Sequence, residues 1–123
     1  MNKPTRKLNI PGSFDRISQP WSPHIAGRVN GQDIRLAKID GAFEWHSHKD
    51  AEEAFFVVRG GFTMRFRDHE VALEEGDLLV VPKGVEHMPV ADHECWIMMI
   101  ENADTVNTGD NISAHTKQDL PEL

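Results

Sequence analysis

Turn-forming residues recur every eight to twelve positions along most of this 123-residue chain, and the runs between them are short and apolar or alternating. That rhythm leaves little room for helices and is the pattern of an all-β protein. No window sets apolar residues at i, i+3, i+4 and i+7 over three turns. The alternation predicts strands over 33–39, 42–48, 53–59, 62–67, 70–74, 78–82, 85–90 and 95–101. Gly60-Gly61 reads as a two-residue hairpin turn, and Asp68-His69 as a second in which His69 would need a positive φ. Residues 1–30 hold four of the seven prolines and do not alternate, so they are expected to form an arm packed on a barrel spanning 31–103. Residues 104–123, polar and turn-rich, are expected to be a partly flexible extension that frays over about its last eight residues.

A chain of this length buries one core rather than two. Its 39% hydrophobic and 27% charged content is that of a soluble globular domain, and no apolar run is long enough to span a membrane. The opening MNKPTRKLNIPG lacks the apolar stretch of a secretory signal. The single cysteine, Cys95, allows no internal disulfide and suits a reducing cytoplasm. A net charge of −7 disfavours nucleic-acid backbones and anionic membranes as partners, and selects no substrate.

The stretch HSHKDAEE, residues 46–53, concentrates the chemistry. In an extended strand residues i and i+2 share a face, so His46 and His48 converge while Trp45 and Ser47 point away. Glu53 has the parity of the apolar Phe55 and Val57 and is expected inside; Glu52 is expected in solvent. Downstream, Pro82 and Gly84 force a turn and His87 follows it. Three imidazoles and a carboxylate make a mixed nitrogen and oxygen set that suits one divalent ion, Fe, Mn, Ni, Co or Zn, with positions left open for a reactant. Affinity for it is expected to fall as pH drops through about 6.5, the reference value for histidine. Glu44, two residues before His46, shares the ligand parity. It is expected to point into the barrel, either orienting the histidines or acting as a general base, unless it pairs with Lys38 or Arg35 or a bulge near Gly41 turns it outward. His24, His69, His93 and His115 read as surface or turn residues, Cys95 as a small buried hydrophobe, and Met64, Met98 and Met99 as core filling.

These residues resemble the two signature motifs of the cupins. The first, a glycine, H-x-H, a glutamate and a second glycine, is matched by Gly41, His46, His48, Glu53 and Gly60, with four residues rather than five between Gly41 and His46. The second is matched by Gly76, Pro82, Gly84 and His87, with Ala91 where the family has asparagine. Fifteen residues, 61–75, separate the two, the short separation of compact microbial cupins. WSPH, VPKGVEHMPVA and TVNTGD further resemble a mannose-6-phosphate-isomerase-like subgroup. The resemblance implies a double-stranded β-helix or jelly-roll barrel with a metal on His46, His48, Glu53 and His87. The metal could serve an enzyme that isomerises, dehydrates or oxygenates a sugar-like or oxygenated organic acid. The alternative is a non-catalytic module that holds a small-molecule ligand or a structural ion. Small cupins commonly pair through sheet edges. A homodimer is therefore expected, with the outward-parity Phe43 and Trp45 under its interface unless inter-sheet packing or the arm with Trp21 covers them instead. No serine elbow, phosphate-cradling loop or glycosidase-like carboxylate pair is present to suggest other chemistry.

Overall fold

The alternating runs become β1 (His24–Val29), β2 (Gln32–Ala42), β3 (Glu53–Arg59), β4 (Gly61–Phe66), β5 (Glu70–Glu74), β6 (Leu78–Val81) and β7 (His87–Asn102). The computed structural model describes residues 5–109 and 111–123 and folds these strands into an antiparallel jelly-roll barrel. One wall runs β1-β2-β7-β3-β6, and in the other β4 pairs with β7 on one side and β5 on the other. β7 is thus common to both walls. Its first residues pair with β4 (Phe66↔His87 to Thr63↔Val90), and its later ones lie between β2 and β3 (Leu36↔Met98↔Phe56).

The two runs expected at 85–90 and 95–101 are one strand. Between them Asp92, His93 and Glu94 are exposed where β7 bends from one wall to the other, and the register with β2 slips between Ile39 and Gly41. The Gly60-Gly61 hairpin does not form, because β3 pairs with β6 and β7 while β4 pairs with β5 and β7. Gly60 is instead the corner at which the chain changes walls. Its φ is +86°, and a Cβ there would lie 3.2 Å from the Glu94 carbonyl oxygen and 3.4 Å from Cys95 Cα, so both conformation and space call for glycine. The β4-β5 hairpin does form, with its bend at Arg67 and Asp68. His69 needs no positive φ: among the described residues the only non-glycines with one are Trp21 and Asn30.

Inward-facing residues of both walls build the main core, including Ile39, Phe55, Val57, Phe62, Met64, Phe66, Ile97 and Met99. A second core lies on the outer face. There Phe14 and Ile17 of the arm pack with Leu36 and Leu123, and Phe14 stacks on Trp96 with centroids 4.7 Å apart and planes 7° from parallel. The arm is more ordered than its prolines suggest. A short helix (Ile10–Ser13) starts where the Asn9 side chain accepts from Gly12 N–H at 2.8 Å, and a 3-10 turn follows at Phe14–Arg16. β1 was not expected, because the bulge between Ile25 and Gly27 breaks its alternation. The last residues do not fray either: Ile25 exchanges backbone bonds with Pro121 O (2.8 Å) and Leu123 N (2.9 Å), and Leu123 is buried. Residues 1–4 of the arm and Asp110 of the extension lie outside the described residues.

Because Phe14 is fully buried and fastens the arm to the barrel, Phe14→Ala should cost about 3–5 kcal/mol. Urea unfolding measures it, and a loss below about 1 kcal/mol would show an arm that contributes nothing to the fold.

Candidate metal centre

The four residues expected as ligands come together, and all four are buried. Glu53 opens β3 with its carboxylate inside, as its parity with Phe55 and Val57 predicts, and Glu52 is exposed. His87 opens β7. His46 lies opposite it, and the two residues exchange backbone bonds of 3.1 and 2.9 Å. His48 is held one step further on, its carbonyl accepting from Gly84 N–H at 2.9 Å. One ligand-type atom from each of the four lies within 4.8 Å of the others.

Hydrogen bonding fixes which ring atom faces the centre. His46 Nδ1 is 2.9 Å from the Glu44 carbonyl oxygen, and His87 Nδ1 is 2.9 Å from that of Val85. A carbonyl only accepts, so in each ring Nδ1 carries the proton and a neutral Nε2 presents its lone pair. Glu53 Oε1 sits 2.7 Å from His48 Nε2 and 3.4 Å from His87 Nε2. Yet none of these three buried atoms has an aligned hydrogen-bond partner among the described residues. Buried polar atoms left without partners cost about 1–3 kcal/mol each. Donors aimed at a common point fit a cation there, and the residues present suit a divalent metal of mixed nitrogen and oxygen preference.

Glu44 does not meet the expectation that it points into the barrel. β2 ends at Ala42 after the slip near Gly41, and the next bridge is that of His46, so the alternation seen from Trp45 to His48 does not extend back to Glu44. The Glu44 carboxylate, 23% exposed, accepts instead from Ser113 Oγ (2.7 Å) and His115 Nδ1 (2.8 Å). Slight burial would raise its pKa, but these two bonds outweigh it and hold the carboxyl below the usual range. His115, read as an ordinary surface residue, is therefore the partner of Glu44. The arm's Trp21 covers Phe43, the alternative to a dimer interface there. Phe43 stacks on Trp21 at 4.7 Å and lines the cavity, while Trp45 lies under the Arg67 guanidinium at 3.9 Å.

That cavity, about 40 Å³, runs from the mouth at Trp21 and Phe43 to His46 and Glu53, between Ile39, Phe55, Ile97 and Met99. Apart from the ligands its polar lining is Asn107 and Glu101. Both ends of the Asn107 amide are engaged, by His115 O and Lys117 N–H. Glu101 was missed in the sequence. One of its oxygens accepts from Arg35, which also binds Asp33, and the other is buried without an aligned partner among the described residues. Burial, reinforced by the charge of Glu53, raises the Glu101 pKa well above the carboxylate range. Burial also acts to raise Glu53, but the neighbouring Glu101 carboxyl and the His48 and His87 imidazoles close to it outweigh burial and hold it low. The signal was available, since Asp33, Arg35 and Glu101 are charged residues at the inward parity of their strands. Cys95 is buried as expected, and burial pushes its thiol up to about 11.

Burial, with His87 adding to it, pushes His46 down to about 4, so this ring stays neutral well below the pH of 6.5 at which a free histidine loses its metal-binding form. Below 6.5 the unfolded chain therefore takes up a proton that the folded chain refuses until about 4. The metal-free fold loses stability across that window and gains none above it. The stability of wild type relative to His46→Gln should accordingly fall by roughly 3 kcal/mol between about pH 7 and about pH 4, at about 1.4 kcal/mol per unit. Urea unfolding in the presence of a chelator checks it; a constant difference would mean that His46 is freely solvated.

The comparisons with known proteins agree with this geometry. The family model for the cupin domain matches residues 32–100, which contain all four converging residues. The uncharacterised protein YdbB of Bacillus subtilis is 42% identical over 84 residues, 68% of this chain and 74% of YdbB. The crystal structure of a cupin-2 domain containing protein from Shewanella frigidimarina, 41% identical, superposes with a TM-score of 0.76 over 77% of this chain and 93% of that one. An acireductone dioxygenase of Puccinia graminis is 38% identical over 71 residues, which cover 53% of this chain but only 39% of the enzyme. The jelly-roll barrel, the two motifs and these matches together make the chain a member of the cupin family.

Proposed function

We propose that this chain is a small metalloenzyme that holds one divalent ion on His46, His48, Glu53 and His87 and acts on a compact oxygenated organic acid. The observation that carries it is the convergence of the unpartnered Glu53, His48 and His87 atoms beside a cavity that His46 and Glu53 line. When bound, the ion supplies Lewis-acid polarisation of a carbonyl or carboxylate oxygen or, as iron, dioxygen chemistry. The protein's share is to orient three imidazoles, to exclude water with Ile39, Phe55, Ile97 and Met99, and to place the Glu101 carboxyl at the same cavity. The likeness to an acireductone dioxygenase supports an oxygenase over the isomerase and dehydratase readings, although the match covers less than half of that enzyme.

The lining also ranks the substrates. A sugar would bring several hydroxyls into a cavity whose polar groups, apart from the ligands, are Glu101 and an Asn107 already bonded at both ends. Each hydroxyl buried without a partner costs about 1–3 kcal/mol, so a short acid with an apolar body fits better than a polyol. The second reading, a non-catalytic module around a structural ion, draws on the same apolar lining.

Wild-type protein should take up one divalent ion per chain and melt at a higher temperature with it. His46→Ala, His48→Ala and His87→Ala should each lower occupancy sharply. Elemental analysis showing the same metal content in all four proteins would remove the metal reading, and a metal-loaded protein inert toward a panel of short oxo- and hydroxy-acids under air would favour the module.

The same proposal includes a homodimer, on a different surface from the one expected in the sequence. β6 is an edge strand, and its Leu78 (64% exposed) and Val80 (50% exposed) continue the outer face of Phe56 and Ile100. Leu78→Lys combined with Val80→Lys should reduce the particle seen by light scattering to the 13.9 kDa monomer. A wild-type chain that is already monomeric at high concentration overturns the pairing.

A further inference from the structure

The segment that carries His46 and His48 has a regular neighbour on one edge only, the bridge to His87. Its other edge is covered by chain lying beyond the region that the family model matches. Asn111 Nδ2 donates to the Trp45 carbonyl at 2.8 Å, and Ser113 Oγ and His115 Nδ1 both reach the Glu44 carboxylate. Gly109 lies against the Ser47 carbonyl: its φ is +63°, and a Cβ at this position would run into that oxygen and come within 3.4 Å of His48 Nδ1. The covering chain is itself tied together by the fully buried Thr108, whose hydroxyl meets Asn111 O (2.6 Å) and Thr116 Oγ1 (2.7 Å).

We propose that this strap, residues 104–109 and 111–117, is a positioning element of the metal centre, holding His46 and His48 from outside the barrel with Glu44 as its latch. The inference rests on the metal-binding reading. Its physical basis is the alternation of the segment, whose imidazoles at 46 and 48 face inward while the carbonyls of Trp45 and Ser47 face the strap. A strand inside a sheet has its pitch fixed by two ladders. Here one ladder is short, the His46–His87 bridge flanked by bonds from Phe43 N–H to Pro89 O and from Gly84 N–H to His48 O, and the strap takes the place of the other. Glu44 connects the two parts directly, since its carbonyl accepts from His46 Nδ1 while its carboxylate is gripped by Ser113 and His115. A partner that orients a ligand ring commonly changes metal affinity about 10–100-fold when it is lost.

The test uses the full chain loaded with cobalt, whose visible absorption reports ligand geometry. Gly109→Ala should surrender cobalt to excess EDTA at least about 10-fold faster than wild type and should alter the cobalt spectrum. Glu44→Gln and Asn111→Ala should shift both readouts in the same direction by less, and they carry the test if Gly109→Ala does not fold. A strap that serves stability alone would lower the melting temperature of the metal-free protein while leaving spectrum and release rate at wild-type values, and that result overturns the inference. Wild-type protein that takes up no cobalt removes the metal reading and this inference with it; normal uptake with unchanged variants removes this inference alone.

Discussion

Two carboxyls, Glu53 and Glu101, share the interior of this barrel with one guanidinium, that of Arg35, and Arg35 is already paired with Asp33. Like charges at close range in a poorly hydrated interior cannot both ionise cheaply. The observed answer is an unequal pair, with Glu53 held low by its partners and Glu101 raised. A cation bound on the Glu53 side would compensate the remaining charge, so the electrostatics of the core and the proposed chemistry would be one arrangement. Breaking such a buried pair from one side costs more than the pair contributes, because it strands the other charge. The register of β2 against β7 is therefore tightly specified: Asp33 faces Glu101 across the ladder, and a slip of one residue would send Arg35 to the outer surface.

Two of the four converging residues occupy strand starts rather than strand centres. Glu53 is the first residue of β3 and His87 the first of β7, so each stands where the ladder begins to anchor the backbone. The walls behind them are rigid and apolar, and the connections in front carry the mouth, Trp21 and Phe43. This division lets one scaffold keep its metal donors while the rim around them varies.

The convergence of His46, His48 and Glu53 was legible because their spacing is local and their parity survives. Glu53, Phe55 and Val57 all face inward as alternation requires. Parity failed at Phe43 and Glu44, since a period of two presumes a continuous strand and these two residues lie between the end of β2 and the bridge at His46. Gly60-Gly61 was misread for a related reason: glycine marks a change of direction but does not say whether the flanking strands then pair with each other. Asp33, Arg35 and Glu101 stood on correctly read strands, yet their partnership joins positions far apart in the chain and depends on topology. The docking of Leu123 was hidden in the same way, as one apolar residue at the end of a mostly polar tail whose partners, Phe14 and Leu36, lie near the other end.

β7, shared by both walls, also sets the order in which this fold can assemble. Gln32 meets Asn102 and Thr63 meets Val90, so the ladders that close the barrel join residues far apart in the chain. Contacts of that range delay folding, because loop-closure entropy is spent before any bond rewards it. During synthesis β2, β3 and β4 emerge before their common partner, and their unpaired edges stay open to other chains. A strand that unifies the finished barrel is therefore the one whose lateness leaves the nascent protein most exposed to aggregation.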